Sequence, residues 1–343
     1  MYLHSYHSKE PFILENGQRL SEPTIAYHTS APKYNGQKVL WICHALTANS
    51  DPTAWWEVMT GPGKCFDPLE YFIVCANILG SCYGSTGPMS LNPNTGAPYY
   101  DQFPVVSVRD WVAAHNRLRI HLGIKEIDTV IGASVGGFQA LEYAICHRDV
   151  CKRLVLIASN ARVSPWNTAF NESQRMAILA DPTYQEYRPE GGERGLAAAR
   201  SIALLSYRSN EGYLLSQEEL NTDTFMAQKA ASYQQYQGEK LRKRFDAYSY
   251  MALTKTFDTH NAGRGRGGLE KALQSINAQT LCIGITGDRL FPPCEVKFMA
   301  RHIPEAQYAS IDSDFGHDGF LLEWKSLTKI ITAFNQPPQY ANS

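Results

Sequence analysis

The sequence predicts an α/β fold, with a mostly parallel central sheet flanked by helices and an inserted helical lid subdomain. Short apolar, β-rich runs alternate with longer helical patterns in the first half of the chain and again near its end, which is typical of strand–helix–strand units. Between them lies a long polar, tyrosine-rich stretch with helical patterns. A serine spaced by glycines stands between one apolar run and the next helical pattern.

The apolar runs are expected to form the strands of the sheet. They cover residues 38–46, 71–79, 127–133, 152–159, 279–288 and 306–312. The stretch from Ser107 to Gly123 opens with a serine cap and has apolar residues at helical spacing, so it predicts a crossover helix. Further helices are expected just after Ser134, near 293–303 and over 326–334.

The chain of 343 residues exceeds the usual size of one domain, but an α/β core with an insertion reaches this length. We expect residues 1–162 and 269–343 to form the two parts of the core. Residues 163–268 are expected to form the helical lid insertion, which closes on the glycine-rich stretch 261–268.

Composition excludes several classes of function. Lysine and arginine number 32 against 33 acidic residues, so no global field favours nucleic acid or an anionic membrane, and small-molecule partners are expected. The chain has no signal-like start and no apolar run of about 18 residues, which predicts a cytoplasmic location. The eight cysteines include no C-x-x-C pair, so we expect no metal site.

A candidate nucleophile lies in the segment 130–141. Gly132, Ser134 and Gly136 satisfy the pattern G-x-S-x-G between an apolar run and a helical pattern, the context in which a serine is exposed on a sharp, strained turn. The alternative is a glycine-rich turn with an incidental serine. The surrounding strand and helix patterns favour the nucleophile.

A serine nucleophile needs a base that is oriented by a carboxylate. In proteins with a serine on this type of turn, the order along the chain is serine, acid, histidine. Asp288 follows a late strand, and His317 follows the last one. The only other late histidine, His302, falls in a predicted helix. The rival acids Asp312, Asp314 and Asp318 stand too close to His317 in sequence to reach the far side of its ring easily.

Acyl transfer also needs donors for the developing oxyanion. The backbone amide after the nucleophile, at Val135, is the first expected donor, and the loop after an early strand supplies the second at Leu46. His44 in that loop is interpreted as a structural residue that holds the turn.

A set of motifs resembles the homoserine O-acetyltransferases, a family of the α/β-hydrolase superfamily in the methionine pathway. They occur in the family's order along most of the chain: HALTANSD, WWEVMTGPGK, GSCYGSTGP, LNPNTGAPY, FPVVSVRD, GASVGGFQALE, FNESQRMAI, RFDAYSYM, DRLFPP and GHDGFL. The resemblance implies the same triad and oxyanion hole. It also implies that Arg200, Tyr207 and Asp318 line the acceptor pocket and that Arg175 lines or supports it.

The resemblance further implies transfer of acetyl from acetyl-CoA to homoserine through an acetyl-serine, without a separate cofactor, and a homodimer. A serine acceptor remains an alternative, because pockets discriminate one methylene of acceptor length weakly. A succinyl donor and an esterase, which would share every triad residue, are further alternatives. The loop 47–56 is compact relative to some family members, and we expect it to border the acyl pocket. The basic segment 238–245 is either a phosphate contact or a solvated helix face.

Overall fold

The computed structural model describes residues 1–221 and 223–336. Its strands are β1 (Tyr2–His7), β2 (Phe12–Ile13), β3 (Arg19–Leu20), β4 (Thr24–Thr29), β5 (Lys38–Cys43), β6 (Tyr71–Ala76), β7 (Ile127–Ala133), β8 (Cys151–Ile157), β9 (Gln279–Ile285) and β10 (Gln307–Ile311).

The main sheet has the strand order β1-β4-β6-β5-β7-β8-β9-β10. From β6 to β10 each neighbouring pair is parallel, and β1 and β4 form an antiparallel edge. The predicted mostly parallel sheet is therefore confirmed. The sequence analysis did not indicate two strands of this sheet, β1 and β4. The side chains of β1 are exposed or intermediate and do not form an apolar run.

The helices are α1 (Pro52–Trp55), α2 (Val108–His121), α3 (Val135–Cys146), α4 (Pro165–Leu179), α5 (Glu193–Tyr207), α6 (Asn210–Gln217), α7 (Lys229–Arg242), α8 (Ala247–Asp258), α9 (Leu269–Gln274), α10 (Pro293–His302), α11 (Gly319–Leu322) and α12 (Trp324–Asn335). Ser107 caps α2 as predicted, in a reciprocal pair with Asp110. Short 3-10 helices span Tyr100–Gln102, Pro182–Glu186 and Gly316–Asp318. No helix in the described part of the chain is both long and apolar enough to cross a membrane.

Successive side chains of a strand point to opposite sides of the sheet. Because nearly every position of the central parallel strands is apolar and buried, both faces of the sheet are apolar. Trp41 and Val130 belong to a cluster that packs with α2 and α3, whereas their neighbours Ile42 and Ile131 belong to a second cluster that packs with α12. The parallel strands are therefore buried on both sides, and their carboxyl ends are left to carry the functional groups.

Helices α4 to α9 lie between β8 and β9 in the chain, where the lid was predicted. The ends of this stretch lie side by side, because the Val163 amide donates to His260 O at 3.0 Å and the Ala262 amide donates to Ala161 O at 2.9 Å. The predicted bounds 163 and 268 stay a prediction. Residues 337–343 of the predicted last segment lie outside the described residues.

Two glycines let the lid helices pack closely. A Cβ on Gly195 of α5 would lie 2.6 Å from Ile178 Cα of α4, and one on Gly238 of α7 would lie 2.7 Å from Ala197 O of α5. Backbones that approach this closely exclude larger side chains. The position of α5, which carries Arg200 and Tyr207, is thereby fixed by helices on both sides.

Candidate active site

Ser134 occupies the turn between β7 and α3, which we call the serine turn (residues 133–136). Its φ is 56° and its ψ is −127°, a conformation that costs a residue with a side chain about 1–3 kcal/mol. The Ser134 amide donates to Ile157 O at 3.0 Å. A glycine would adopt this backbone without strain, so the serine here indicates that its side chain is needed.

The glycines around Ser134 are required by close backbone contacts. A Cβ on Gly132 would lie 2.0 Å from Gly136 O, and one on Gly136 would lie 2.1 Å from Cys43 O. A Cβ on Gly137 would lie 2.4 Å from Ser159 Oγ. These contacts pack the first turn of α3 against the ends of β5, β7 and β8, and any tight strand-to-helix turn would need the same glycines. The strained serine, more than the glycines, favours the nucleophile.

The structure brings the predicted acid and base together. His317 lies after β10, and its Nδ1 is 2.8 Å from Asp288 Oδ2. Since a carboxylate oxygen can only accept, Nδ1 is the donor of this hydrogen bond. Asp288 follows β9, and its Oδ1 accepts from the amides of Leu290 at 2.8 Å and Phe291 at 2.9 Å. Both side chains are buried. The ring is thus held with Nε2 free to accept a proton.

The rival residues have other partners. Asp312 accepts from the Thr286 hydroxyl, and Asp318 accepts from Arg208 Nε at 2.7 Å. His302 Nδ1 donates to Phe298 O at 2.9 Å within α10. Of the acids weighed from the sequence, Asp288 is the one that the structure describes in a hydrogen bond to the His317 ring.

A cavity of about 470 Å³ opens at the carboxyl edge of the sheet under the lid. It brings together most of the residues that were predicted for the site, namely Leu46, Ser134, Arg200, Tyr207, His317 and Asp318. The loop 47–56 also lines it, through Thr47, Ala48, Asn49, Ala54 and Trp55. Asp288 lies behind His317. The cavity therefore joins the candidate nucleophile and base to a polar wall formed mainly by α5 and the end of α7.

The predicted oxyanion donors lie within the serine turn, at Val135, and in the loop after β5, at Leu46. The Val135 amide is the first of α3, and an amide in that position has no acceptor within the helix. In the described part of the chain the Leu46 amide likewise has no protein acceptor. The loop that carries it is fastened to α3, because Gln139 Nε2 donates to His44 O at 2.9 Å.

His44 holds the same loop from inside. Its Nδ1 donates to Ala45 O at 2.8 Å, and its side chain is fully buried. Burial lowers the pKa of His44 to about 4, so the ring is neutral at neutral pH. This environment agrees with the structural role expected from the sequence.

Arg200 and Tyr207 lie on one face of α5 and approach the base. The Arg200 guanidinium stands 5.4 Å from the centre of the Tyr207 ring, and that ring is 5.8 Å from the His317 ring. Burial raises the pKa of Tyr207, so its hydroxyl stays protonated at neutral pH. Among the described residues Arg200 has no carboxylate partner. Its charge is therefore available to a ligand in the cavity.

Arg175 lies outside the cavity. Its Nη2 pairs with Asp258 Oδ2 of α8 and with Glu172 Oε2 of its own helix, each at 2.8 Å. The Nη2 end of the Arg175 side chain thus holds α4 against α8, while its buried Nη1 has no hydrogen-bond partner among the described residues. The structure gives it no contact with the cavity, and the supporting role implied by the family resemblance stays a prediction.

Several residues of the site were missed or left open by sequence reasoning. Tyr83, Lys240 and Arg244 line the cavity, and Arg208 pairs with Asp318 from behind. The basic run 238–245 was a visible signal for two of them, although it did not distinguish cavity residues from a solvated face. Tyr83 lies in the motif GSCYGSTGP, but nothing in the sequence pattern gave it or Arg208 a place at the cavity, because their contacts come from distant segments.

The hydrogen bond between Asp288 and His317 predicts the reactivity of Ser134. A fluorophosphonate probe, followed by mass spectrometry of the labelled peptide, is expected to modify Ser134. Asp288→Asn should slow labelling by about 10³–10⁴-fold, because the amide favours the wrong tautomer of His317. Asp312→Asn is the matched control and should label at the wild-type rate. Equal rates in the two variants would remove Asp288 from the site.

Comparison with known proteins identifies the family of the chain. The alpha/beta hydrolase fold family matches residues 38–323. The homoserine O-acetyltransferase of Cyclobacterium marinum is 45% identical and covers 96% of this chain and 94% of its own. That of Chlorobium chlorochromatii is 42% identical, with coverage of 96% and 94%.

Solved structures give the same result for the fold. The homoserine o-acetyltransferase from Staphylococcus aureus superimposes with a TM-score of 0.83 at 27% identity, covering 99% of this chain and 96% of its own. Esterase E22 superimposes with a TM-score of 0.88 at 22% identity, covering 98% and 100%, which shows the shared fold alone. By sequence and by fold, this chain belongs to the homoserine O-acetyltransferase family of α/β hydrolases.

Proposed function

We propose that the protein transfers the acetyl group of acetyl-CoA to the side-chain hydroxyl of L-homoserine, a step of methionine biosynthesis. The observation that carries the proposal is the composition of the cavity wall. A nucleophile and base, Ser134 and His317, share one cavity with an unpaired guanidinium and a carboxylate, Arg200 and Asp318. Membership of the family supports the same reaction.

In the first half-reaction, His317 Nε2 accepts the proton of Ser134 Oγ as the oxygen attacks the thioester carbonyl. The amides of Leu46 and Val135 stabilise the oxyanion. The C–S bond breaks, and the CoA thiolate takes the proton from His317, which leaves acetyl-Ser134. Asp288 stabilises the imidazolium throughout through its 2.8 Å hydrogen bond.

In the second half-reaction, the homoserine hydroxyl gives its proton to His317 and attacks the acetyl ester. The bond to Ser134 Oγ breaks and the serine recovers its proton, so each cycle restores the enzyme. The acetyl group is carried by Ser134 itself, and the proposed reaction therefore uses no separate cofactor. The lid helices cover the cavity and favour the bound acceptor over water.

The acceptor end of the cavity fits an amino acid. A guanidinium binds a carboxylate through paired hydrogen bonds, and Arg200 is free for this role. Asp318 shares one oxygen with Arg208 at 2.7 Å, and its other oxygen is proposed to accept from the substrate ammonium. An esterase has no need of such a pair of opposite charges, which favours the transferase over the hydrolase.

Ser134→Ala should abolish release of free thiol from acetyl-CoA, because the acetyl group then has no acceptor in the enzyme. The assay follows thiol formation with a thiol-reactive dye, and circular dichroism checks that the variant is folded. Thiol release at the wild-type rate would contradict an acyl-enzyme route.

Product and substrate comparison separates the alternatives for the wild-type enzyme. Mass spectrometry should find O-acetylhomoserine, and free acetate as the main product would support an esterase. Rates with acetyl-CoA and succinyl-CoA, each measured against homoserine and serine, identify both substrates. A preference for succinyl-CoA or for serine would overturn the assignment of that substrate.

Arg200→Gln should raise the KM for homoserine by about 10–100-fold, since a hydrogen bond to a charged group is worth about 1.5–3 kcal/mol. Thiol release from acetyl-CoA without acceptor should change little, because that half-reaction does not involve the acceptor carboxylate. Arg194→Gln, an exposed change on the same helix outside the cavity wall, is the control. An equal loss in both half-reactions would contradict the assigned role.

We also propose that the protein acts as a cytoplasmic homodimer through its helical region. Large apolar side chains are exposed on α5, on α6 and in the stretch that follows: Leu205, Leu214, Leu215, Phe225 and Met226. Exposed apolar clusters of this kind commonly form interfaces. A second copy of the chain is the proposed partner.

Light scattering should give twice the chain mass of 38.4 kDa. Replacement of Leu214 and Leu215 by Glu should shift the mass to that of one chain, because buried charge opposes association. Leu91→Glu, at an exposed leucine elsewhere on the surface, should leave the dimer intact. A monomeric wild-type protein would exclude this interface.

A further inference from the structure

Two basic residues stand at the rim of the cavity. Lys240 lies in the last turn of α7, and Arg244 follows four residues later in the turn after that helix. Both are exposed, and both line the cavity that holds Ser134. Ser134 itself is only 6% exposed. The cavity therefore runs from a nucleophile at its inner wall to cations at its mouth.

These two cations are not neutralised by carboxylates. Arg242, between them in sequence, pairs with Glu239 at 2.7 Å and Glu193 at 2.8 Å. In the part of the chain that the structure describes, neither Lys240 nor Arg244 has such a partner. In this basic segment Arg242 is paired with carboxylates, whereas Lys240 and Arg244, which line the cavity, are not.

Arg244 is held in place by uncharged acceptors. Its Nη1 donates to Thr47 O and to the Tyr83 hydroxyl, each at 2.6 Å. These contacts fix the guanidinium against the loop 47–56 without cancelling its charge. An ordered cation at a cavity mouth is suited to an anionic group, because less freedom is lost when the anion binds.

The acceptor carboxylate does not account for these charges. The Arg200 guanidinium carbon is 5.4 Å from the centre of the Tyr207 ring, which is 5.8 Å from that of His317. In the proposed function Arg200 therefore binds a short acceptor next to the reacting serine. Lys240 and Arg244 have no such contact with the base. A ligand that contacts both Ser134 at the inner wall and these two cations at the rim has to be longer than a short amino acid.

We propose that Lys240 and Arg244 bind the phosphate groups of the acyl donor's nucleotide arm at the mouth of the cavity. The inference rests on the proposed function, which supplies a CoA thioester. In that molecule the phosphates are separated from the thioester by the long, uncharged pantetheine chain. A thioester at Ser134 therefore places the phosphates toward the solvent, where ammonium and guanidinium groups bind them by charge-assisted hydrogen bonds.

The test compares donors with and without phosphates. Lys240→Gln should lower kcat/KM for acetyl-CoA about fivefold, the size of an exposed ion pair. The same variant should leave kcat/KM for S-acetylpantetheine unchanged, because that donor has no phosphate. Acetyl-dephospho-CoA then shows whether the 3′-phosphate or the diphosphate is bound. Added KCl should weaken use of acetyl-CoA more in the wild type than in the variant.

Lys243→Gln is the matched control, since Lys243 is an exposed base of the same segment outside the cavity wall. Arg244→Gln should show the same selectivity for phosphate-bearing donors. An equal effect of Lys240→Gln on both donors, or an effect of Lys243→Gln as large, would overturn the inference.

The two proposals can fail separately. If the wild type transfers acetyl from both donors but Lys240→Gln does not discriminate between them, the phosphate site is wrong and the proposed function stands. If the wild type uses neither donor, the proposed function fails. Calorimetry with CoA and with pantetheine then tests the phosphate site by binding alone, and equal affinities of Lys240→Gln and wild type for CoA would reject it.

Discussion

The close approach of α3 to the ends of β5 and β7 is the constraint on which the rest of the site depends. A Cβ on Gly132 or Gly136 would lie about 2 Å from a carbonyl oxygen of the neighbouring backbone, so only glycine fits at both positions. Ser134, between them, adopts the strained conformation that the sharp turn requires. The same contact brings the loop after β5 beside the first amide of α3. One packing arrangement therefore sets both the nucleophile and the donors expected to face its oxyanion.

The charges of the cavity are ordered by contacts that leave them available. Tyr207 supports Arg200 with its ring, whereas a carboxylate would cancel its charge. Arg208 pairs with one oxygen of Asp318 and offsets part of its charge, while the other oxygen has no protein donor among the described residues. The side chains are thus positioned by folding before any substrate arrives, which reduces the freedom lost on binding. Arg175 shows the contrasting case, since two carboxylates use its charge for packing.

Local patterns made the central sheet, the capped helix α2 and the order of serine, acid and histidine predictable. These features depend on short stretches of sequence, such as the apolar run before Ser134. The strands β1 and β4 were not predicted, and β1 forms only by pairing with β4. Arg208 and Tyr83 were missed for a similar reason: each acquires its site contact from a segment more than 100 residues away. Spacing shows which residues lie on one helix face but not which element will cover them.

The side-by-side ends of the lid stretch have a consequence for how such enzymes diversify. Ser134, Asp288 and His317 all lie outside residues 163–268, while Arg200, Tyr207, Lys240 and Arg244 all lie within them. Because the stretch leaves and rejoins the sheet at adjacent points, held by the Val163 and Ala262 amides, its length and content can change at little cost to the core. The candidate triad and most of the proposed substrate contacts therefore lie in separate stretches of the chain, with Asp318 and the loop 47–56 among the cavity-lining exceptions outside the lid stretch.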